Sequence, residues 1–357
     1  MIRLEPRTHA SPGLTLATTL GAIVAALLLS SLPLLAAGAP VLQAFGLLAR
    51  GAGGSLFAIT ETLTRATPLI LTGIAAAVAF RARLWNIGAE GQLYAGALAA
   101  VALGAGAVEL PPMLLVPLLC LAGALAGAAL MLGPALAKQW LGADEVVTTL
   151  LLNFVVILFV QLMLEGALKD PMGMGWPQSA PIVDDGTLPK LLDKMRLHAG
   201  LLIGLGAAVL LQIMIHRTVW GLEIRAVGEN VDAARFTGLP VTATIVRTAC
   251  ISGALAGLAG VSEVAGLKGY LTADLSPGFG YAGIVVAMLA GLSPLGVVPA
   301  AIFVAAVFVG ADTMSRTLAV SNYLADLVVA LSLICVLVAG LFRRYRLILG
   351  RRVAVGP

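Results

Sequence analysis

HRTVWGLEIRAVGENVDAARFTGLPVTATIVR, His216 to Arg247, is a long polar interval set between two apolar runs. It carries four Arg (Arg217, Arg225, Arg235, Arg247), three acids (Glu223, Glu229, Asp232) and a helix-forming block, DAARF, closed by Gly238 and Pro240. Around it, 60% of the 357 residues are hydrophobic and only 11% are charged. The mean hydropathy is +1.01. Soluble domains run about 25% charged, so this composition is that of an integral membrane protein. In such a chain a structured polar interval is a loop between spans, and the first reason to keep one is that something soluble docks there.

Working outward, the apolar runs nearest this loop are Leu197–Ile215 and Thr248–Leu267. Further upstream lie Leu14–Ala37, Ala66–Phe80, 89–108, 113–137 and 146–164; further downstream lie 282–292, 295–311 and 321–341. The first run exceeds the core of about 7–15 residues that a cleaved signal peptide has, so it reads as a retained span. The second begins with Pro68 in its first turn, where proline is tolerated, and residues 38–60 read as Gly-rich and polar sequence outside. The run 282–292 is too short to cross about 30 Å at 1.5 Å per residue, so 282–311 reads as a hairpin of a short helix and a longer one. Gly and Ala abound inside the runs, as close helix packing in lipid requires. The expected fold is all-α, a polytopic membrane helix bundle of about ten transmembrane helices.

Positive charge orients it. With the N-terminus in the cytoplasm, fourteen of the 22 Lys and Arg fall on the cytoplasmic side. Half of the rest sit in one long outer loop, 165–198. The positive-inside rule then favours cytoplasmic N- and C-termini. The chain divides into a tail of residues 1–13, a membrane domain of 14–342 and a tail of 343–357. The outer loop is rich in Pro and Gly, and a short surface helix is expected at 188–196.

Chemistry is nearly absent. The sequence holds no P-loop, no G-x-S-x-G, no HExxH and no Cys/His cluster. Cys120, Cys250 and Cys335 each stand alone in an apolar run and read as small buried hydrophobes. The net charge of +4 comes largely from Arg placement about the membrane and says nothing of nucleic acid. In the polar interval, a turn at Gly228-Glu229-Asn230 leads into a short helix that begins near Asp232, whose carboxylate suits a helix N-terminus. The docking candidates are Glu229, Asn230, Asp232, Ala233, Ala234, Arg235 and Gly238.

Polar side chains in lipid usually face the interior of a bundle. Asn86, Glu90 and Gln92 form the densest group, in a Gly-broken junction after Arg83. They read either as lining for a solute path or as groups that satisfy the broken backbone and pair with Arg81 or Arg83. Thr149 and Asn153 share a helix face at i, i+4, as do Asn322 and Asp326. All of these are path candidates, while Glu263 is expected to pair with Lys268. An ion-coupled carrier would want charged residues central in several spans and paired broken helices, and an intramembrane enzyme a nucleophile and base at membrane depth. Neither pattern stands out.

GLEIRAVGENVDAARFTGLPV (221–241) resembles the coupling region of permease subunits of bacterial ABC importers, with the A-A-x-x-x-G core at Ala233, Ala234 and Gly238. PLILTGIAAAVAFRARLWNIGAEGQLYAGA (68–97) is similar to the simple-sugar and nucleoside branch, and N-I-G-A-E-G-Q, Asn86 to Gln92, to the nucleoside permeases. DPMGMGWPQSAPI (170–182) also looks like that subunit type, which pairs with a second, non-identical permease. The resemblance runs from about residue 60 to 342. It implies a ribose/nucleoside-type permease in the bacterial inner membrane, with residues 216–247 as its cytoplasmic coupling loop. It also implies separate ATP-binding subunits that carry ATP-Mg, an extracytoplasmic substrate-binding lipoprotein, and no cofactor on this chain. Permeases for simple sugars, riboflavin or branched-chain amino acids share the coupling pattern.

Overall fold

The computed structural model describes residues 2–6 and 12–349. Residues 7–11 and 350–357 of the two expected tails, with Arg7, His9, Arg351 and Arg352, lie outside the described residues. A first strand, β1 (Ile2–Pro6), is followed by α1 (Pro12–Ala36), α2 (Val41–Gly53), α3 (Leu56–Arg81), α4 (Ala89–Gly104), α5 (Pro112–Leu141) and α6 (Glu145–Glu165). Then come α7 (Gly200–Arg217), α8 (Val219–Glu229), α9 (Val231–Phe236), α10 (Val241–Glu263), α11 (Phe279–Leu289), α12 (Pro294–Leu318), α13 (Asn322–Arg344) and β2 (Tyr345–Leu349). Among the described residues, seven helices are long and apolar enough to cross a membrane: α3, α5, α6, α7, α10, α12 and α13. The chain is a polytopic helical membrane protein.

It divides into two compact units, Leu56–Ala305 and a second made of Met1–Ser55 with Ala306–Pro357. In the larger unit, α3 is the most deeply buried of the long helices, with every residue from Ala66 to Phe80 buried. Helices α4, α5 and α10 meet backbone to backbone. A Cβ at Gly96, Gly127 or Gly260 would overlap the facing main chain at Gly257, Gly253 or Leu93. Small residues thus set the helix spacing, as dispersion-driven packing in lipid demands. In the smaller unit, α1 packs on α13 and α2 lies against the later half of α12, where Gly51 faces Thr313. There β1 and β2 pair antiparallel, Ile2 with Leu349 through Pro6 with Tyr345, a pairing that the reading of two separate tails did not anticipate.

Three expectations need correction. Helix α3 starts ten residues before the expected Ala66, so Pro68 sits well inside it. The Thr-rich start looked too polar for a span, but the hydroxyls of Thr60, Thr64 and Thr72 donate to carbonyls of Phe57, Thr60 and Pro68 in their own helix. Residues 38–60, read as Gly-rich and polar sequence outside, hold α2 and the first turn of α3. The surface helix expected at 188–196 is a turn, with Leu191 N–H donating to the Leu197 carbonyl at 2.8 Å and Lys190 bridged to His198. Pro189 lacks a donor, and Lys194 takes a left-handed φ of 62°, which no helix continues through.

Candidate functional site

The α3–α4 junction is where the chain breaks helix inside the bundle. Residues 82–88 lack regular helix, so their backbone polar groups need partners that water cannot supply. Side chains supply them. Asn86, fully buried, donates through Nδ2 to Gln92 Oε1 and Ser252 Oγ, both at 2.9 Å, and its Oδ1 accepts the Gly88 N–H at 2.9 Å. Asn153 on α6 accepts the Gly91 N–H at 2.8 Å and donates to the Ile87 carbonyl at 2.9 Å and the Tyr281 hydroxyl at 3.1 Å. Thr149, one turn earlier, accepts the Ile87 N–H at 3.3 Å. Asn86, Gln92, Thr149 and Asn153 therefore meet in one network, and the shared face of Thr149 and Asn153 is the face that builds it. Ser252 and Tyr281 belong to it as well. One of two Ser among the small residues of α10 and a Tyr at the start of α11 gave no sequence signal that set them apart.

Glu90 stands next to this network and does different work. Its Oε2 accepts the Gly280 N–H at 2.6 Å, so the carboxylate sits at the N-terminus of α11, where helix polarity favours an anion. The expected pairing with Arg81 or Arg83 is not made: Arg81 Nε donates instead to the Leu292 carbonyl at 2.8 Å. The expected partners Glu263 and Lys268 do attract each other as charges, with Arg65 beside Glu263, while Lys268 Nζ donates its hydrogen bond to the Asp274 carbonyl at 3.0 Å. Asn322 and Asp326 lie in the smaller unit, exposed on α13; Asn322 Oδ1 accepts the Ser315 hydroxyl at 2.9 Å.

The polar interval folds as two helices. Thr218 caps α8 and Asn230, in extended backbone, caps α9 by accepting the Asp232 and Ala233 N–H groups, both at 3.0 Å. The cap is thus Asn230 rather than Asp232, whose carboxylate lies 3.7 Å from Arg235 in an exposed pair. The turn expected at 228–230 shrinks to Asn230 alone, because Gly228 and Glu229 remain in α8. Gly238 closes α9 at φ 81°, the left-handed conformation for which glycine is suited. On α9 only Ala234 is buried. Ala233 and Arg235 are exposed, and Phe236 is 94% exposed. Phe236 was missing from the docking candidates, although an aromatic ending a short polar helix is the signal that finds it. Side chains pin α8 to α10: Glu223 accepts the Thr244 hydroxyl at 3.2 Å and lies 3.6 Å from Arg247, whose guanidinium stacks 5.3 Å from the Trp220 ring centroid.

On the long loop 165–198, Ser179 N–H donates to the Leu271 carbonyl and Leu271 N–H returns to Ser179 Oγ, both at 2.9 Å. Ile182 and Leu188 donate to the Gly269 and Ala265 carbonyls at 2.7 and 2.8 Å. Residues 264–268 form a π-helical turn, which frees carbonyls that the loop then takes up. His198 is wholly buried and accepts the Gly200 N–H on Nδ1 at 3.2 Å. Burial pushes its pKa down to about 4, so the ring is neutral.

Residues 58–337 match the family described as branched-chain amino acid transport system / permease component. The chain belongs to that permease family. It is 34% identical over 355 residues to a glucose ABC transporter permease protein of Haloferax volcanii, covering 97% of this chain and 93% of that one. It is 34% identical to a guanosine ABC transporter permease protein of Bacillus subtilis, covering 88% and 91% of the two chains. A nucleoside ABC transporter permease protein of Lactococcus lactis is 32% identical over 83% of each. No solved structure matches the chain. The protein is a multi-pass permease subunit of the ABC-importer type, a transport component rather than an enzyme.

Proposed function

We propose that this permease subunit forms the membrane path for a nucleoside or similar small polar solute and is driven by a separate ATP-binding subunit that docks on α9. The observation that carries the docking is α9 itself: a capped six-residue helix with Ala233, Arg235 and Phe236 turned outward and only Ala234 buried. Aromatic residues and Arg are enriched at protein interfaces, and α9 turns one of each outward. Glu229, Asn230, Asp232 and Gly238 complete the docking set, all of them exposed. ATP-Mg acts on the partner, and ATP-driven closure of the paired ATP-binding subunits moves α9 and switches the path between its two faces. A second permease, non-identical in this reading, and an extracytoplasmic substrate-binding lipoprotein complete the importer.

Ten crossings are proposed: the seven long helices together with α1, α4 and α11. The pairing of β1 with β2 supports an even number, because it holds both chain ends together. Positive charge then supports both ends in the cytoplasm of a bacterial inner membrane. For the path, Asn86, Gln92, Thr149 and Asn153 frame the broken junction and Glu90 fixes α11, while Asn322 and Asp326 offer polar groups on an exposed face of α13.

A sugar is the second reading, favoured by the glucose permease that matches along 97% of this chain. Uptake of labelled nucleoside into energised membrane vesicles decides between them. Nucleoside reading predicts ATP-dependent uptake displaced by excess unlabelled nucleoside and untouched by glucose or ribose. Displacement by the sugar alone overturns it in favour of the second.

A further inference from the structure

The turn that follows α3 collects contacts from four other parts of the larger unit. Gly228, next to last in α8, lies so close to it that a Cβ would overlap the Arg81 carbonyl oxygen and come within 3.6 Å of Ala82 Cα. Arg81 Nε holds the Leu292 carbonyl at 2.8 Å, in the turn between α11 and α12. Lys138, near the end of α5, donates to the Arg83 carbonyl at 3.1 Å and pairs with Glu145, the first residue of α6. Glu145 Oε1 also accepts the Trp85 N–H at 3.3 Å. Two residues in these turns, Arg83 at φ 53° and Leu292 at φ 61°, hold left-handed backbone without being glycine. Such residues persist only where their surroundings fix them, and they cluster at switches.

We propose that the Arg81–Trp85 turn is the rigid relay by which a push on α8 and α9 reaches the spans, and that Gly228 is its positioning residue. The proposal rests on the docking reading of α9. A backbone-to-backbone contact has no rotamer to absorb a displacement, so movement of α8 transfers to the Arg81 carbonyl with little slack. From there Arg81 carries it to the α11–α12 turn, and the Arg83 carbonyl with Lys138 and Glu145 carries it to α5 and α6. The same turn opens the stretch that Asn86, Gln92 and Asn153 hold, so the broken junction moves as a unit with it.

The test is solute transported per ATP hydrolysed by the intact purified importer in proteoliposomes, with co-purification of the ATP-binding subunit measured alongside. Gly228→Ala pushes the contact apart and is expected to lower that ratio at least several-fold while the ATP-binding subunit still co-purifies. Where Gly228→Ala fails to assemble, Arg83→Gly keeps the test alive, since glycine adopts φ 53° freely and only removes the stiffness of the turn. It is expected to lower the ratio, whereas Arg83→Asn, which also tolerates left-handed backbone, retains more of it. An unchanged ratio in Arg83→Gly, or equal losses in Arg83→Gly and Arg83→Asn, overturns the relay. A wild-type chain that brings down no ATP-binding subunit instead overturns the docking reading beneath it.

Discussion

Two polar segments, 165–198 and 216–247, interrupt the spans of the larger unit, and they are built in opposite ways. The first is stitched down through its backbone: Ser179, Ile182 and Leu188 all donate main-chain N–H groups to carbonyls of 265–271. The second makes its own helices, caps them with Thr218 and Asn230, and is held to α10 by side chains such as Glu223 and Arg247. One is fixed as an extension of α10; the other keeps α9 turned outward with Phe236 bare. The difference is the one that the proposed docking on α9 requires: 165–198 holds still, and α9 is left open to a partner.

The largest effect that sharpens this contrast belongs to the second segment. Ala233→Asp places an uncompensated charge in the docking face, which costs several kcal/mol in a desolvated interface and is expected to cut ATP-driven uptake at least about tenfold. The thermal midpoint of the purified chain stays as it was, because Ala233 is exposed. An equal fall in thermal midpoint would erase the distinction between gripping and holding.

The first segment is expected to respond through stability instead. His198 has its pKa pushed down to about 4 from 6.5, so folding favours the neutral ring and this stabilisation is complete above pH 6.5. It is lost as pH falls through 6.5 toward 4, by up to about 3 kcal/mol at 1.36 kcal/mol per pH unit. Limited proteolysis within 165–198 should rise over that window, and His198→Phe should flatten the dependence. Cleavage within 216–247 should not follow the same curve. Ser179→Ala comes next, because it orphans the buried Leu271 N–H; a loss of about 1–3 kcal/mol, read as faster hydrogen exchange along 265–272, is expected.

The smallest effect returns to the second segment. Glu223→Gln keeps the Thr244 partner and weakens only a half-exposed pair with Arg247, so a change of about 1 kcal/mol or less in thermal stability is expected. A larger loss would mean that α8 is held as firmly as the outer loop.

What the sequence allowed follows the same division. Spans, their order and α9 with its Gly238 stop were legible, because apolar runs and local helix signals are written in adjacent residues. The docking of 165–198 was not, because its backbone donors leave no mark on residue type and the π turn that receives them has no composition of its own. The start of α3 lies ten residues before the expected Ala66 for a related reason: Thr60 and Thr64 look polar but bond to their own helix. At the junction, the sequence leaves path lining and pairing with broken backbone as alternatives for Asn86, Glu90 and Gln92, and the arginines it offers Glu90 are those close in sequence. Its actual partner, Gly280, lies 190 residues away and shows only in the fold.

The most direct measurement is photocrosslinking in native membranes from a benzophenone amino acid placed at Phe236, with the same probe at Trp176 on the outer loop as comparison. Docking on α9 predicts a product between this chain and an ATP-binding subunit from position 236, lost with Ala233→Asp, and none to that subunit from position 176. No such product from 236, or an equal one from 176, would contradict α9 as the point where ATP drives this permease.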